Sequence, residues 1–234
     1  MRLVLFDIDG TLLLSGGAGL LALERAFTEL HGVEGGTRGV EYHGLTDPVI
    51  VQSIARVHLS RELDEAEFAS VVESYLGHLE DTLRESIGFH TLPGARELVL
   101  ELSERDDVGL GLVTGNFEPA AWRKLERANL SEYFSFGGFG SDAADRAEVT
   151  RIAIERGRER TGANGAALVI GDTAHDVRSA ARVGVPCLAV ATGNATVDDL
   201  RAAGARWAVS GLEEPLVRQV LELDALPPAL GRRR

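Results

Sequence analysis

The chain has 234 residues, 44% of them hydrophobic, and a formal net charge of -12. That acidic balance excludes binding to a nucleic-acid backbone, which needs clustered positive charge, and no apolar run is long enough to cross a membrane as a helix. A single cysteine, Cys187, excludes an internal disulfide, and Met1-Arg2 leads directly into an apolar run with no secretory signal, so a cytoplasmic location is expected.

The first predicted element lies in residues 3–12, LVLFDIDGTL. An apolar strand stops on Asp7, Asp9 follows, Gly10 lets the backbone turn, and Thr11 comes next. A strand ending this way presents two carboxylates at its C-terminal edge, where open α/β sheets bind ligands. An Asx turn would account for one Asp and the Gly but not for the second acid. A calcium loop would need Glu at its twelfth position, which here is Ala18.

Residues 17–22 then read GAGLLA, a match to the dinucleotide fingerprint G-x-G-x-x-A. That fingerprint should follow its strand immediately, whereas residues 9–16 intervene, so a flexible entry into the next segment is the expected role and a nicotinamide-binding protein the different-class alternative. Helical patterns follow at 20–30, 48–57 and 64–83 with no strand among them. Residues 15–90 are therefore expected to form a helical cap, hinged at Gly16-Gly17 and at Thr91-Leu92-Pro93-Gly94. Within it, Tyr42-His43-Gly44-Leu45-Thr46-Asp47 precedes a helix. Thr46 or Asp47 as N-cap with Pro48 at the first helical position is one reading; contact of His43 and Thr46 with a ligand is the other.

Strand and helix alternate from there. A helix over 94–102 leads to a strand at 108–113, which ends in Thr114-Gly115-Asn116 before a helix at 118–128. A strand near 134–139 and a helix from about Glu148 follow. The strand at 167–170 ends in Gly171-Asp172-Thr173-Ala174-His175-Asp176 before another helix, and strands near Val185 and at 206–209 finish the pattern. Such alternation predicts an α/β fold with a doubly wound parallel sheet. Residues 1–14 and 91–225 are assigned to this core and 226–234 to a tail, whose Arg232 to Arg234 run reads as a solvated end.

Three strand ends thus carry a carboxylate pair, a hydroxyl with neighbouring amides, and a second carboxylate pair. In this the chain resembles the haloacid dehalogenase superfamily, in its phosphoglycolate-phosphatase-like and beta-phosphoglucomutase-like branch with a helical cap. The first motif, Asp-x-Asp-Gly-Thr, matches Asp7 to Thr11; the second matches Thr114; the fourth, Gly-Asp-x-x-x-Asp, matches Gly171, Asp172 and Asp176. The third motif departs. It usually supplies a lysine about thirty residues after the second, yet the only lysine is Lys124, on the helix just after Asn116, and Arg146 stands at the expected place. Arginine can hold a phosphoryl group bidentately and stays charged, so the role is assigned to Arg146.

The resemblance implies a phosphohydrolase acting through an aspartyl-phosphate. Asp7 would be the nucleophile, and Asp9, protonated, would supply the leaving group's proton and then act as base. Thr114, Gly115, Asn116 and Arg146 would hold the phosphoryl oxygens. A carboxylate facing a phosphate dianion at about 4 Å meets roughly 8 kcal/mol of repulsion at an effective dielectric of 20, about six orders of magnitude in rate. A divalent cation is therefore expected between them. Mg²⁺ would take side-chain oxygens of Asp7 and Asp172 with the backbone carbonyl of Asp9, while Asp176 and Thr11 would orient its surroundings. The implied substrate is a small phosphorylated metabolite, with monomer and homodimer both open. A sugar phosphomutase shares Asp7 and Asp9, a true dehalogenase has no use for the second acid, and a Schiff-base relative would need a lysine in the cap, where there is none.

Overall fold

The structure is a computed structural model in which residues 1–223 are described; the expected tail at 226–234 lies outside them. Eight strands and nine α-helices alternate along the described chain. Six strands form one parallel sheet: β1 (Arg2–Phe6), β4 (Val108–Val113), β5 (Gly137–Gly138), β6 (Ala167–Gly171), β7 (Cys187–Val190) and β8 (Trp207–Val209), in the spatial order β5-β4-β1-β6-β7-β8. The doubly wound α/β reading is thereby realised. β1 is central, pairing in parallel with β4 on one side (Val4 opposite Leu110) and β6 on the other (Val4 opposite Leu168). The chain adds strands first to one side of β1 and then to the other, so the switch in winding direction falls at the C-terminal end of β1.

Side-chain alternation explains why this sheet is buried on both faces. Val4 and Phe6 of β1, with Leu110 and Leu112 of β4, pack on one face against α4 (Ala95–Ser103) and α5 (Glu118–Arg127). Leu3 and Leu5 pack on the opposite face with Val149, Ala153 and Ile154 of α6 (Arg146–Thr161) and Val177 and Ala180 of α7 (Ala174–Arg182). Helices α8 (Val197–Ala202) and α9 (Pro215–Val220) complete the layers.

Between the first and second strands of the large sheet lie α1 (Ala18–His31), α2 (Asp47–Leu59) and α3 (Glu65–Glu85), which share their own apolar cluster around Phe27, Ile54, Val71 and Leu79. Two short strands, unexpected from sequence, flank these helices. β2 (Leu13–Ser15) and β3 (Phe89–Thr91) pair antiparallel, Leu14 opposite His90, where the sequence suggested only hinge loops. The strand expected at 134–139 shrinks to Gly137–Gly138. Phe134, Phe136 and Phe139 are buried, but just Leu112 and Val113 of β4 remain for this edge strand to pair with.

Candidate active site

Three strand ends of the large sheet converge. The amide of Asp7, just past β1, donates to the carbonyl of Ile170 on β6 at 2.9 Å, continuing the ladder one residue beyond the strand. The chain then reverses. The amides of Leu12 and Leu13 both donate to the carbonyl of Ile8, and Gly10 takes the left-handed conformation, φ +82°. A Cβ at Gly10 would lie 2.3 Å from Asp172 Oδ2, so glycine here serves both the turn and the approach of the carboxylate that follows β6. Thr11 Oγ1 donates to Asp172 Oδ1 at 3.4 Å.

From the end of β4, the buried Thr114 accepts through Oγ1 from Asn116 Nδ2 at 2.7 Å, and the same amide nitrogen donates to Asp9 Oδ2 at 2.8 Å. Arg146, the first residue of α6, is buried rather than on the surface. Its Nη2 lies 3.1 Å from Asp7 Oδ2 and donates to Asp176 Oδ1 at 2.6 Å, and Nε donates to that oxygen at 2.9 Å. The neighbouring acids are engaged elsewhere: Asp145 with Arg182, Glu148 with Arg151. Asp176 spends its other oxygen on the Thr173 amide and hydroxyl, at 3.0 and 2.6 Å, in a capping box at the start of α7.

Asp7, Asp172 and Asp176 each place a carboxylate oxygen within 4.8 Å of the others, all buried. Burial, followed by the charges of its neighbours, pushes the Asp172 carboxyl up to about 9, and burial raises Asp7 to about 7 against the pull of Arg146. A cluster in which burial and mutual repulsion resist ionisation despite Arg146 is suited to a cation. The oxygen-only donor set fits a hard divalent ion such as Mg²⁺. Asp7 and Asp172 are the carboxylates placed to ligate it, since both Asp176 oxygens already accept hydrogen bonds.

Sequence reasoning passed over two residues. Lys124 is buried, and its Nζ donates to Asp9 Oδ2 at 2.6 Å and to Asn116 Oδ1 at 2.5 Å. A signal was available: with Ala120, Ala121 and Leu125 it occupies the buried stripe of α5, where a lysine is out of place unless it has a partner. Its presence also sets the electrostatics around Asp9. Burial raises that carboxyl, but the Lys124 ammonium and the hydrogen bonds from Lys124 and Asn116 outweigh it and hold Asp9 below the usual carboxylate range.

Asp47 is the second. The first residue of α2, it accepts from the Phe117 amide at 2.8 Å, and its own amide donates to Gly115 at 2.7 Å, so the helical insertion is tied to the loop after β4. Burial pushes its carboxyl up to about 6. Thr46 takes the N-cap position without a side-chain capping bond; its hydroxyl donates to Ala144 O at 3.3 Å.

These groups surround a cavity of about 430 Å³ between the sheet edge and α1–α3. Asp7, Asp9, Thr114, Gly115, Asn116, Arg146 and Asp172 line it, together with Tyr42, His43, Asp47, Ile50 and Tyr75. His43 is exposed, with Asn194 Nδ2 2.9 Å from its Nδ1. Thr46 is not among the lining residues, because its hydroxyl turns away to Ala144. The match of residues 17–22 to a dinucleotide fingerprint falls in the start of α1, after β2 of the antiparallel pair and not at the end of a strand of the parallel sheet.

Residues 1–184 match the profile of the haloacid dehalogenase-like hydrolase family. The chain is 29% identical over 189 residues to a phosphoglycolate phosphatase of Aquifex aeolicus, covering 79% of this chain and 82% of that one. It is 26% identical over 245 residues to a phosphoglycolate phosphatase of Pseudomonas fluorescens, covering 98% and 86%. In fold it is similar to a crystal structure from Clostridium acetobutylicum described as a predicted phosphatase, with a TM-score of 0.69, 22% identity, and coverage of 94% and 98%.

Proposed function

The chain belongs to the haloacid dehalogenase-like hydrolase family, and on that premise we propose that it is a Mg²⁺-dependent phosphatase of small phosphorylated metabolites, working through an aspartyl-phosphate. The observation that carries this reading is the meeting, at one sheet edge, of Asp7 with Asp172 and Arg146 on one side and Asp9 on the other.

The cation would be held by Asp7 and Asp172, with the backbone carbonyl of Asp9, and would supply the positive charge that a carboxylate needs to approach a phosphate dianion. Asp7 attacks phosphorus, forming an acyl-phosphate bond as the bond to the alkoxide oxygen breaks. Arg146, Thr114 and the amides of Gly115 and Asn116 receive the phosphoryl oxygens. Asp176 holds the Arg146 guanidinium at two nitrogens, fixing where its free edge points. The proton for the departing alkoxide is delivered by Asp9, which is left as a carboxylate with the Lys124 Nζ 2.6 Å away to balance its charge. In the second half Asp9 takes a proton from the water that attacks the acyl-phosphate, and the pair returns to its starting state.

Release of inorganic phosphate from a panel of phosphomonoesters, read with Mg²⁺ and again with EDTA, tests the reading. Activity should require the metal, and Asp7→Asn should lose about three orders of magnitude or more in kcat, as removal of a covalent nucleophile does. Metal-dependent turnover surviving in that variant, or transfer of the phosphoryl group back to the substrate without release, would overturn it.

A further inference from the structure

Resting on the cation part of the phosphatase reading, we propose that the loop after β7 is a fourth strand end of the site. In it, Thr192 and Gly193 are positioning residues that hold the Asp172 carboxylate where it can ligate the divalent ion.

The triplet Thr-Gly-Asn occurs twice in the chain, at 114–116 after β4 and at 192–194 after β7. Both copies line the catalytic cavity. The glycine of the first makes room for its neighbours: a Cβ at Gly115 would meet the Leu45 carbonyl oxygen and lie 2.8 Å from Arg146 Nη1. The second copy falls beside Asp172 because β7 runs parallel to β6 with Ala189 opposite Gly171, so the residues that follow the two strands leave the sheet as neighbours.

Gly193 does for Asp172 what Gly115 does for Arg146. A Cβ at Gly193 would overlap Asp172 Oδ2 and lie 2.9 Å from its Cγ. The φ of Gly193 is outside the left-handed region, so the turn itself does not call for glycine; the approach of the carboxylate does. Asp172 is confined by its other contacts as well. It is buried, Thr11 donates to Oδ1, and Gly10 approaches Oδ2 so closely that a Cβ there would also collide with it.

The loop is equally fixed. The Ala191 amide donates to the Val209 carbonyl at 2.8 Å, continuing the β7–β8 ladder, and the Thr196 hydroxyl accepts from the Asp199 amide at 3.1 Å in a capping box. Between these anchors the Thr192 hydroxyl donates to the Gly10 carbonyl. That bond joins the loop to the turn after β1, one residue beyond Asp9. A side chain at position 193 therefore displaces the Asp172 carboxylate and not the backbone. Mg²⁺ demands near-ideal octahedral geometry, so it tolerates little displacement of a ligand.

The test is calorimetric titration of the EDTA-treated protein with MgCl₂ at pH 8, with no substrate present. Gly193→Ala should weaken Mg²⁺ binding about tenfold or more, the usual worth of a residue that orients a metal ligand. Thr192→Val should weaken it too, while Thr192→Ser, which keeps the hydroxyl, should bind the ion as the parent does. Tm in EDTA checks that each variant folds, and the two Thr192 variants carry the test if Gly193→Ala does not fold. A folded Gly193→Ala protein with the parent's Mg²⁺ affinity, or equal affinities for Thr192→Val and Thr192→Ser, would overturn the inference and leave the phosphatase reading intact. A parent protein that binds no Mg²⁺ would remove both. Weakened binding in Gly193→Ala of a chain that hydrolyses no phosphomonoester would uphold the hold on Asp172 and remove only the phosphatase reading.

Discussion

At the residue scale the informative contrast is between two buried cations, Arg146 and Lys124. Arg146 holds Asp7 and Asp176, and Lys124 holds Asp9, so each of the first two acids has its own partner. One cation steadies the nucleophile's side of the cavity and the other sets the charge of the second acid. Replacing Lys124 by Met keeps the aliphatic stem but removes the ammonium. Asp9 would then lose its main counter-charge, and its carboxyl would rise. Because the carboxylate form serves as base in hydrolysis of the acyl-phosphate, the acidic limb of the kcat profile should move to higher pH, with kcat reduced about a hundredfold, the usual worth of a positioned acid–base group. A pH–rate profile of Lys124→Met that coincides with the parent enzyme's would exclude this role.

At the scale of elements, the β2–β3 pair explains how the helices α1–α3 are held over the site. Ser86 Oγ donates to the Ser15 carbonyl at 2.9 Å, and from the core side Arg127 of α5 donates to the Ser86 carbonyl at 3.1 Å with its guanidinium carbon 4.3 Å from the centre of the Phe89 ring. Arg123 of the same helix reaches the Leu76 carbonyl of α3. A single core helix thus grips both the linkers and the helical layer. Gly16 is where this arrangement tolerates least. It adopts φ +62°, and a Cβ would fall 2.3 Å from Ser86 Oγ and 2.7 Å from the Gly88 carbonyl carbon. Gly16→Ala should therefore cost about 1–2 kcal/mol from the left-handed conformation alone, more from the contact, and expose the 86–91 linker. Limited proteolysis and the denaturation midpoint read both effects; a variant as stable and as protease-resistant as the parent would contradict the packing described. The same pair shows why the linkers read as loops. Three residues per strand leave no periodicity to detect, and the partners are far apart in sequence.

For the whole molecule, the net charge of -12 and the metal-free acid cluster act in the same direction. Asp7 and Asp172 have carboxyls raised to about 7 and about 9, so the folded state retains protons that the unfolded chain releases near pH 4. Their contribution to stability is complete below the unfolded value and is lost as pH rises through the folded values. The Tm of the EDTA-treated protein should fall between pH 5 and pH 9. Mg²⁺ should raise it, by about 2.7 kcal/mol of stability at a hundredfold excess over Kd, and most strongly at the alkaline end, where both carboxylates are ionised. A metal-independent, pH-flat Tm would show that the cluster neither holds protons nor binds the ion.

Residues close in sequence carried what could be read without coordinates. Apolar runs that stop on Asp7, Thr114 and Gly171 announce strand ends, and their alternation with helices implies a parallel sheet, because period and punctuation are local properties of the chain. Arg146 was expected at the site through the resemblance and its offset from Thr114, and its guanidinium lies 3.1 Å from Asp7 Oδ2. The pairing of Lys124 with Asp9, across 115 residues, and of Asp47 with the Phe117 amide, across 70, was not. Nor was the lowering of the Asp9 carboxyl by Lys124, which follows from that first pair. Such contacts depend on how α5 rolls against the sheet and how the helical layer settles on the loop after β4. Those are outcomes of packing between distant surfaces, which only the folded chain brings within hydrogen-bonding distance.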